Sequence, residues 1–187
     1  MTKCEHCQVY APDNYGCCPQ CGAPLVPFNA CHIGEHGCQR IVINANYGGF
    51  SPSAKAVMRW AELSGIELHC VIDEDFMKRN WDEPRHYREI DISKEPEKFL
   101  STHFSTKPLK PDGTIEDGAY WYWGANDEFE KKFRTDPNLI QAIEELGDEA
   151  SGSCSTLKIV EIPDDVKWVI EEYDGMEWIS EIHRTWE

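Results

Sequence analysis

The larger, second part of the chain alternates short apolar runs with glycine and proline turns. Its first run, residues 40–44, is rich in β-branched side chains and predicts a strand that leads into a glycine loop. Ser51 and Pro52 fit the N-cap and the first position of a helix that ends before Gly65. The apolar stripe of this helix consists of Ala54, Val57, Met58 and Ala61. Residues 66–72 predict another strand, which completes a strand, loop, helix, strand unit.

Two further patterns lie in the middle of the chain. Residues 101–106 and 118–123 predict the strands of a hairpin that turns at 111–113. Asp136 fits a helix N-cap, and Pro137 fits the first helical position. The side chains of this helix that are predicted to face the core are Leu139, Ile140, Ile143 and Leu146. The middle of the chain therefore combines a strand pair with a helix.

Three strand patterns follow near the end of the chain, at residues 157–162, 166–173 and 176–179. Because only a short turn separates each from the next, they predict a C-terminal antiparallel meander. Added to the strand, loop, helix, strand unit, the meander favours an α+β or α/β sandwich with a mixed sheet.

Composition and charge limit the classes of function. The chain has 187 residues, 41% of them apolar, and a net charge of −16 from 18 basic and 34 acidic side chains. The apolar content suffices for a packed core, and no run approaches the roughly 18 apolar residues of a membrane span. The polar start lacks the apolar segment of a signal peptide, so we expect a cytoplasmic protein with no membrane partner. The negative charge disfavours contact with nucleic-acid backbones.

Five of the nine cysteines lie within the first 21 residues, where two C-x-x-C pairs occur. The four cysteines that fit one tetrahedral site are Cys4, Cys7, Cys18 and Cys21. Residues 1–28 resemble the zinc ribbon family, and this resemblance implies one structural Zn²⁺ bound by both pairs. Cys17 in place of Cys18, buried thiols and a redox pair are the alternatives. So short a module needs its metal in order to fold.

A second group of possible metal ligands follows the ribbon. The group consists of Cys31, His32, His36 and Cys38. It predicts either a second metal site or a linker with incidental histidines, and we favour the linker because adjacent residues chelate one ion awkwardly. The predicted organisation is therefore a ribbon at 1–28, a linker at 29–39 and a main domain at 40–187.

The glycine loop before the first helix is the leading candidate for a binding site. Two adjacent glycines allow backbone amides to approach a ligand, and the helix start adds N–H groups that favour phosphate or carboxylate. The candidate residues are Asn44, Asn46, Tyr47, Gly48, Gly49, Ser51 and Ser53. The loop matches neither a dinucleotide fingerprint nor a P-loop. The alternative is that the loop simply turns the chain from strand to helix.

Side chains elsewhere in the main domain could complete this site. Arg134 precedes the helix that begins at Pro137, and its guanidinium either clamps an anion or is a surface cation. His103 and Ser105 alternate along one predicted strand, so they share a face that could look toward the loop. The aromatic run at 120–123 predicts either sheet core or a stacking platform for a flat ligand.

Motifs for catalysis are not found in the sequence. No nucleophile elbow, zinc-protease motif or paired-carboxylate motif occurs, so an enzymatic activity is unsupported. The isolated Cys70 and Cys154 predict buried thiols.

Acidic residues concentrate in the last quarter of the chain. Residues 144–187 hold thirteen acids against three bases, which gives −10 of the total −16. This excess predicts either a solvated face or an acidic surface that engages a basic host protein or imitates the charge of a nucleic acid.

Three sets of motifs relate the main domain to a known family. They are Ile-Val-Ile-Asn with Tyr-Gly-Gly-Phe-Ser at 41–51, Arg-Thr-Asp-Pro with Glu-Glu-Leu-Gly at 134–147, and Lys-Ile-Val-Glu-Ile-Pro-Asp-Asp-Val with Glu-Tyr-Asp-Gly at 158–175. On these motifs, most of residues 40–187 resembles a widespread family of small, functionally uncharacterised proteins of tailed phages and prophages. The resemblance implies a bacterial host cell and a ribbon added to the family's domain, but no particular activity.

Three functions are consistent with these features. The first is capture of a small anionic, nucleotide-like ligand by the loop and Arg134, which would modulate host signalling or defence. The second is an interaction protein whose zinc ribbon and acidic surface bind a host macromolecule. The third is an enzyme that processes a nucleotide.

Overall fold

The structure is a computed structural model that describes residues 2–3, 10–11, 37–78, 80, 84–98 and 100–182. Its helices are α1 (Ala54–Leu63), α2 (Asp127–Arg134) and α3 (Pro137–Leu146), with a 3-10 turn at Gly147–Ala150. Its strands are β1 (Thr2–Lys3), β2 (Tyr10–Ala11), β3 (Cys38–Asn44), β4 (His69–Asp73), β5 (Tyr87–Glu89), β6 (Thr102–Ser105), β7 (Tyr120–Trp121), β8 (Leu157–Pro163), β9 (Trp168–Tyr173) and β10 (Met176–Glu181). All four predicted zinc ligands lie outside the described residues, so the ribbon stays a prediction.

The described strands form one four-stranded sheet and three two-stranded pairs. The four-stranded sheet has the order β5-β4-β6-β7, and each pair of neighbouring strands in it is antiparallel. The pairs are β3 with β8, β9 with β10, and the antiparallel pair β1 with β2. Antiparallel ladders beside three helices confirm the α+β class. The hairpin predicted between 101–106 and 118–123 is confirmed as β6 and β7, with Phe104 opposite Trp121.

The core brings side chains of α1 and α3 together with side chains of the strands. Its buried members include Val42, Val57, Trp60, Ala61, Cys70, Phe104, Phe133, Leu139, Ile140 and Ile143. Trp60 stacks on Trp121 with ring centroids 5.0 Å apart, and it meets the edge of Phe133 at 4.9 Å. Burial of each such side chain contributes about 1.5–3 kcal/mol, so this aromatic contact fixes α1 and α2 against the sheet.

Helix α1 begins two residues later than predicted. The N-cap is Ser53 rather than Ser51, because the Ser53 side chain accepts a hydrogen bond from the amide of Ala56 at 3.2 Å. Pro52 does not occupy the first helical position but forms an isolated antiparallel bridge with Ser151. The helix start is therefore set by a side-chain cap and not by the proline.

Helix α2 was not predicted from the sequence. Its eight residues are mostly charged, and Asn126 caps it by accepting a hydrogen bond from the amide of Phe129 at 2.9 Å. Two residues, Thr135 and Asp136, separate it from α3, whose predicted cap and proline start are confirmed. Arg134 is thus the last residue of α2, where the helix dipole favours a cation.

The C-terminal strands do not form the predicted meander. Strand β8 pairs with β3 instead of β9, because the amide of Ala45 donates to Thr156 O at 2.8 Å and the amide of Asp164 donates to Gly37 O at 3.0 Å. Strands β9 and β10 do form the predicted hairpin. Its turn residues, Asp174 and Gly175, have φ values of 52° and 82°, as a type I′ turn requires.

The chain divides into two compact units. One comprises Met1–Arg40, Glu161–Trp168 and Glu181–Glu187, and the other comprises Ile41–Val160 and Val169–Ser180. The second unit contains every candidate residue described below except the cysteines of the predicted metal sites. Within the described ranges, no helix is long and apolar enough to cross a membrane.

Candidate functional site

Asn44 joins the glycine loop to two other segments. Its side chain is fully buried at the end of β3, and the side-chain nitrogen Nδ2 donates to Asn46 O at 2.5 Å and to Gly175 O at 2.7 Å. The side-chain oxygen Oδ1 accepts from the backbone amide of Thr156 at 2.8 Å. Every one of these partners is a backbone group of the same chain, so Asn44 organises the loop rather than facing a ligand.

The turn of the β9–β10 hairpin packs against the glycine loop. Gly48 and Gly49 have φ values of 119° and 88°, and the amide of Gly48 donates to Asp174 O at 3.3 Å. A Cβ atom added to Gly175 would lie 2.2 Å from the nitrogen of Gly49. Because atoms at that distance overlap, the turn requires glycine at position 175 for its close approach to the loop. The backbone amides of Gly48 and Gly49, which we expected to approach a ligand, therefore lie against this turn instead.

Arg134 lies beside the loop, but two carboxylates of the chain already pair with it. The side chain is 4% exposed, and it donates to both oxygens of Glu177, from Nη1 at 2.7 Å and from Nη2 at 2.9 Å. Its Nε donates to Glu130 Oε1 at 2.9 Å, and the guanidinium lies over the ring of Phe50 at 3.8 Å. The guanidinium therefore makes the bidentate contact expected of an anion-binding arginine, and the anion is the carboxylate of Glu177.

Glu177 connects this ion pair to the loop. Its side chain is 8% exposed, and Oε2 also accepts a hydrogen bond from the amide of Asn44 at 2.7 Å. The structure thus brings together two predicted site residues, Asn44 and Arg134, through a carboxylate that the sequence analysis did not single out. The sequence contains no signal for this role, because Glu177 stands between the apolar Met176 and Trp178, an alternation that would place its carboxylate on the outer face of the strand.

The start of α1 also has an anionic partner from within the chain. The amide of Ala54 donates to the carboxylate of Glu97, and Lys55 pairs with Glu149 at 2.5 Å. A pocket of about 220 Å³ opens here, lined by Ser53, Ala54, Lys55, Ile92, Pro96, Glu97, Glu149 and Ser151. Glu97 supplies the negative charge that the helix N-terminus attracts.

The other loop candidates divide into structural and exposed residues. Ser53 donates from Oγ to Glu149 O at 2.6 Å, and the carbonyl of Ser51 accepts from Ser155 Oγ at 2.5 Å. Asn46 and Tyr47 are exposed, and Asn46 Oδ1 accepts from the amide of Tyr47 at 2.8 Å. Asn46 and Tyr47 are therefore the most exposed of the polar loop candidates.

His103 and Ser105 share a face of β6, as predicted, but that face turns away from the helices. Phe104 between them belongs to the core, so the two polar side chains point to the opposite side of the sheet. Ser105 is fully buried and donates to Lys107 O at 2.7 Å. His103 Nδ1 lies 2.9 Å from the hydroxyl of Tyr120, the pKa of which burial raises. Neither contact involves the glycine loop.

The aromatic run at 120–123 contributes mainly to the core. Trp121 packs on Trp60 and meets the edge of Phe104 at 5.8 Å. Tyr120 and Tyr122 alternate with it and are about half exposed. The core interpretation therefore holds for Trp121, whereas the two tyrosines lie at the surface.

The described cysteines differ in exposure. Burial, with a smaller contribution from Glu97, raises the pKa of the Cys70 thiol to about 12, which fits the predicted buried thiol. Cys154 is exposed, so the prediction that it is buried is wrong; it lies in the turn that precedes β8. Of the possible second metal cluster only Cys38 is described, and the described ranges hold no group of three or more potential metal ligands.

The β9–β10 hairpin exposes apolar side chains that the sequence analysis did not identify. Val169, Tyr173 and Trp178 are all exposed, and the indole nitrogen of Trp178 donates to Glu171 Oε2 at 2.9 Å.

The chain matches no known family model, no curated protein and no solved structure.

Proposed function

We propose that the protein is an acidic interaction protein that binds a basic macromolecule of its host. The observation that carries the proposal is the pairing of Arg134 with Glu177. Because a carboxylate of the chain pairs with the guanidinium, and Gly175 packs on the glycine loop, the contacts favour an architectural role for this region. Binding by exposed carboxylates then becomes the stronger alternative.

The acidic residues near the C-terminus supply the charge for such binding. Residues 144–187 carry −10 of the net −16, and the hairpin exposes Glu171, Glu172 and Asp174. A surface of one sign attracts partners of the opposite sign and raises their rate of association. The same charge repels nucleic-acid backbones, so a protein is the better partner. The resemblance to phage proteins supports a bacterial host as its source.

The zinc ribbon is the second part of this proposal. Strands β1 and β2 lie on either side of the segment that contains Cys4 and Cys7. One Zn²⁺ held by four thiolates has no open coordination position, so its role would be to fold a contact module rather than to catalyse.

Capture of a small anionic ligand is the second candidate function. The pocket at the start of α1 favours it, since a phosphate or carboxylate ligand would compete with Glu97 for the amide of Ala54. A thermal-shift screen with nucleotides, cyclic nucleotides and ADP-ribose derivatives tests this candidate. Turnover of a stabilising nucleotide would instead favour an enzyme.

The main proposal is tested by binding of the full chain to a labelled oligo-lysine or oligo-arginine peptide at increasing salt. We expect affinity to fall with salt, because screening weakens exposed charge pairs. Glu171→Lys/Glu172→Lys should weaken binding more than Asp75→Lys/Asp117→Lys, which changes the net charge equally at exposed positions outside the hairpin. Equal losses would mean that only total charge matters, and absence of binding to either peptide would refute the proposal.

A further inference from the structure

The two faces of the β9–β10 hairpin differ in exposure. Along β10, Glu177 points inward to Arg134 and its neighbour Trp178 points outward. Along β9, Val169 is exposed and Ile170 is partly buried. Because neighbouring residues of a strand point to opposite sides, the hairpin has one anchored face and one outward face.

The outward face combines aromatic and apolar side chains with a carboxylate. Val169 and Trp178 are each 42% exposed, and Tyr173 is 70% exposed. Glu171 lies among them and accepts the indole hydrogen bond of Trp178 through Oε2. Within the described residues, its second oxygen makes no hydrogen bond. The carboxylate thus holds the indole in place and keeps an acceptor for a partner.

This face has the composition of a protein interface. Aromatic residues are enriched at interfaces and dominate their binding energy, whereas contiguous exposed apolar side chains are uncommon elsewhere on a protein surface. The inward face is fixed by the Glu177 ion pair and by the contact of Gly175 with the glycine loop. Because these contacts already fix the hairpin backbone, binding of a partner requires little further ordering of it.

We propose that the outward face of this hairpin binds an arginine-rich segment of a partner protein. The inference rests on the proposed function and specifies its partner. Charge complementarity selects a basic segment, because the carboxylate of Glu171 is exposed on this face and that of Asp174 is exposed at the adjoining turn. Arginine fits better than lysine, since its planar guanidinium stacks on an indole while it donates to a carboxylate. Trp178 and Glu171 provide both contacts side by side.

The test compares an oligo-arginine peptide with an oligo-lysine peptide of equal length, by fluorescence anisotropy with the full chain. We expect the arginine peptide to bind more tightly. Trp178→Ala should weaken its binding about tenfold or more, as for a central interface aromatic. Tyr173→Ala, which alters a more exposed ring, should weaken it by a smaller factor. Met77→Ala removes an apolar side chain that is 87% exposed and lies outside both the hairpin and the glycine loop, and it should leave binding unchanged.

Each outcome is decisive for the inference. If Trp178→Ala and Tyr173→Ala bind like wild type while Glu171→Lys/Glu172→Lys weakens binding, the acidic interaction stands and the aromatic face is excluded. Equal affinity for the two peptides would overturn the choice of arginine. If neither peptide binds wild type, the proposed function and the inference fall together. Unchanged thermal unfolding of Tyr173→Ala keeps that variant informative even if Trp178→Ala is unstable.

Discussion

Replacement of Arg134 by leucine distinguishes a buried structural ion pair from a ligand clamp. Arg134→Leu removes both hydrogen bonds from the guanidinium to the carboxylate of Glu177. Among the contacts described, only the backbone amide of Asn44 then still donates to that carboxylate. A free clamp would lose ligand affinity and keep its stability. A buried pair would lose stability whether or not a ligand exists.

The burial of both partners sets the expected magnitude. Arg134 is 4% exposed and Glu177 is 8% exposed, and removal of one partner from such a pair typically costs about 3–5 kcal/mol. Glu130, which is 35% exposed, can regain water and adds little to this cost. For a chain of this length, the loss corresponds to a fall of about 6–20 °C in melting temperature.

Differential scanning calorimetry and chemical denaturation measure this loss. Arg134→Leu/Glu177→Leu should be more stable than Arg134→Leu, because it removes the stranded charge, and a deficit of about 1–3 kcal/mol should remain for the unpaired amide of Asn44. Arg59→Leu is the matched control, since it breaks an exposed ion pair with Glu145 and should change stability little. A wild-type melting temperature for Arg134→Leu would refute the reasoning.

Three further predictions concern other parts of the chain. Gly175→Ala should lose about 1–3 kcal/mol from backbone strain alone, and more from overlap with Gly49, by denaturant unfolding. In iodoacetamide labelling at pH 8 with peptide mapping, Cys154 should react well before Cys70, which stays protonated and buried until the protein unfolds. Elemental analysis should find one zinc per chain in wild type and less in Cys21→Ser; a full zinc content in that variant would contradict the ribbon.

Local signals predicted most elements of the fold correctly. The Asp136 cap, the proline start of α3 and the Asp-Gly turn of β9–β10 each depend on a few neighbouring residues, and the structure confirms them. Helix α2 escaped prediction because its charged residues carry little apolar periodicity. The pairing of β8 with β3 joins segments more than a hundred residues apart, and no turn signal encodes such a contact.

The candidate site was predicted in position but not in partners. Sequence reasoning left Arg134 as either a partner of Asn44 and the two glycines in one site or a surface cation; the structure brings these residues together and buries Arg134. The sequence could not show that Glu177 lies between Asn44 and Arg134, because a carboxylate on a distant strand becomes a partner only through tertiary packing. For the same reason, His103 satisfied the alternation rule and still lies on the outer face of a different sheet.

The pairing of Arg134 with Glu177 also accounts for the exposed face of the hairpin. When Arg134 holds Glu177 on the inner face of β10, the pleat of the strand necessarily turns Trp178 outward. An isolated two-stranded hairpin is only marginally stable in water, so its outward aromatic face requires support from behind. The ion pair and the contact of Gly175 with the glycine loop supply that support. In the proposed interaction, the glycine loop presents the hairpin and does not itself contact the partner.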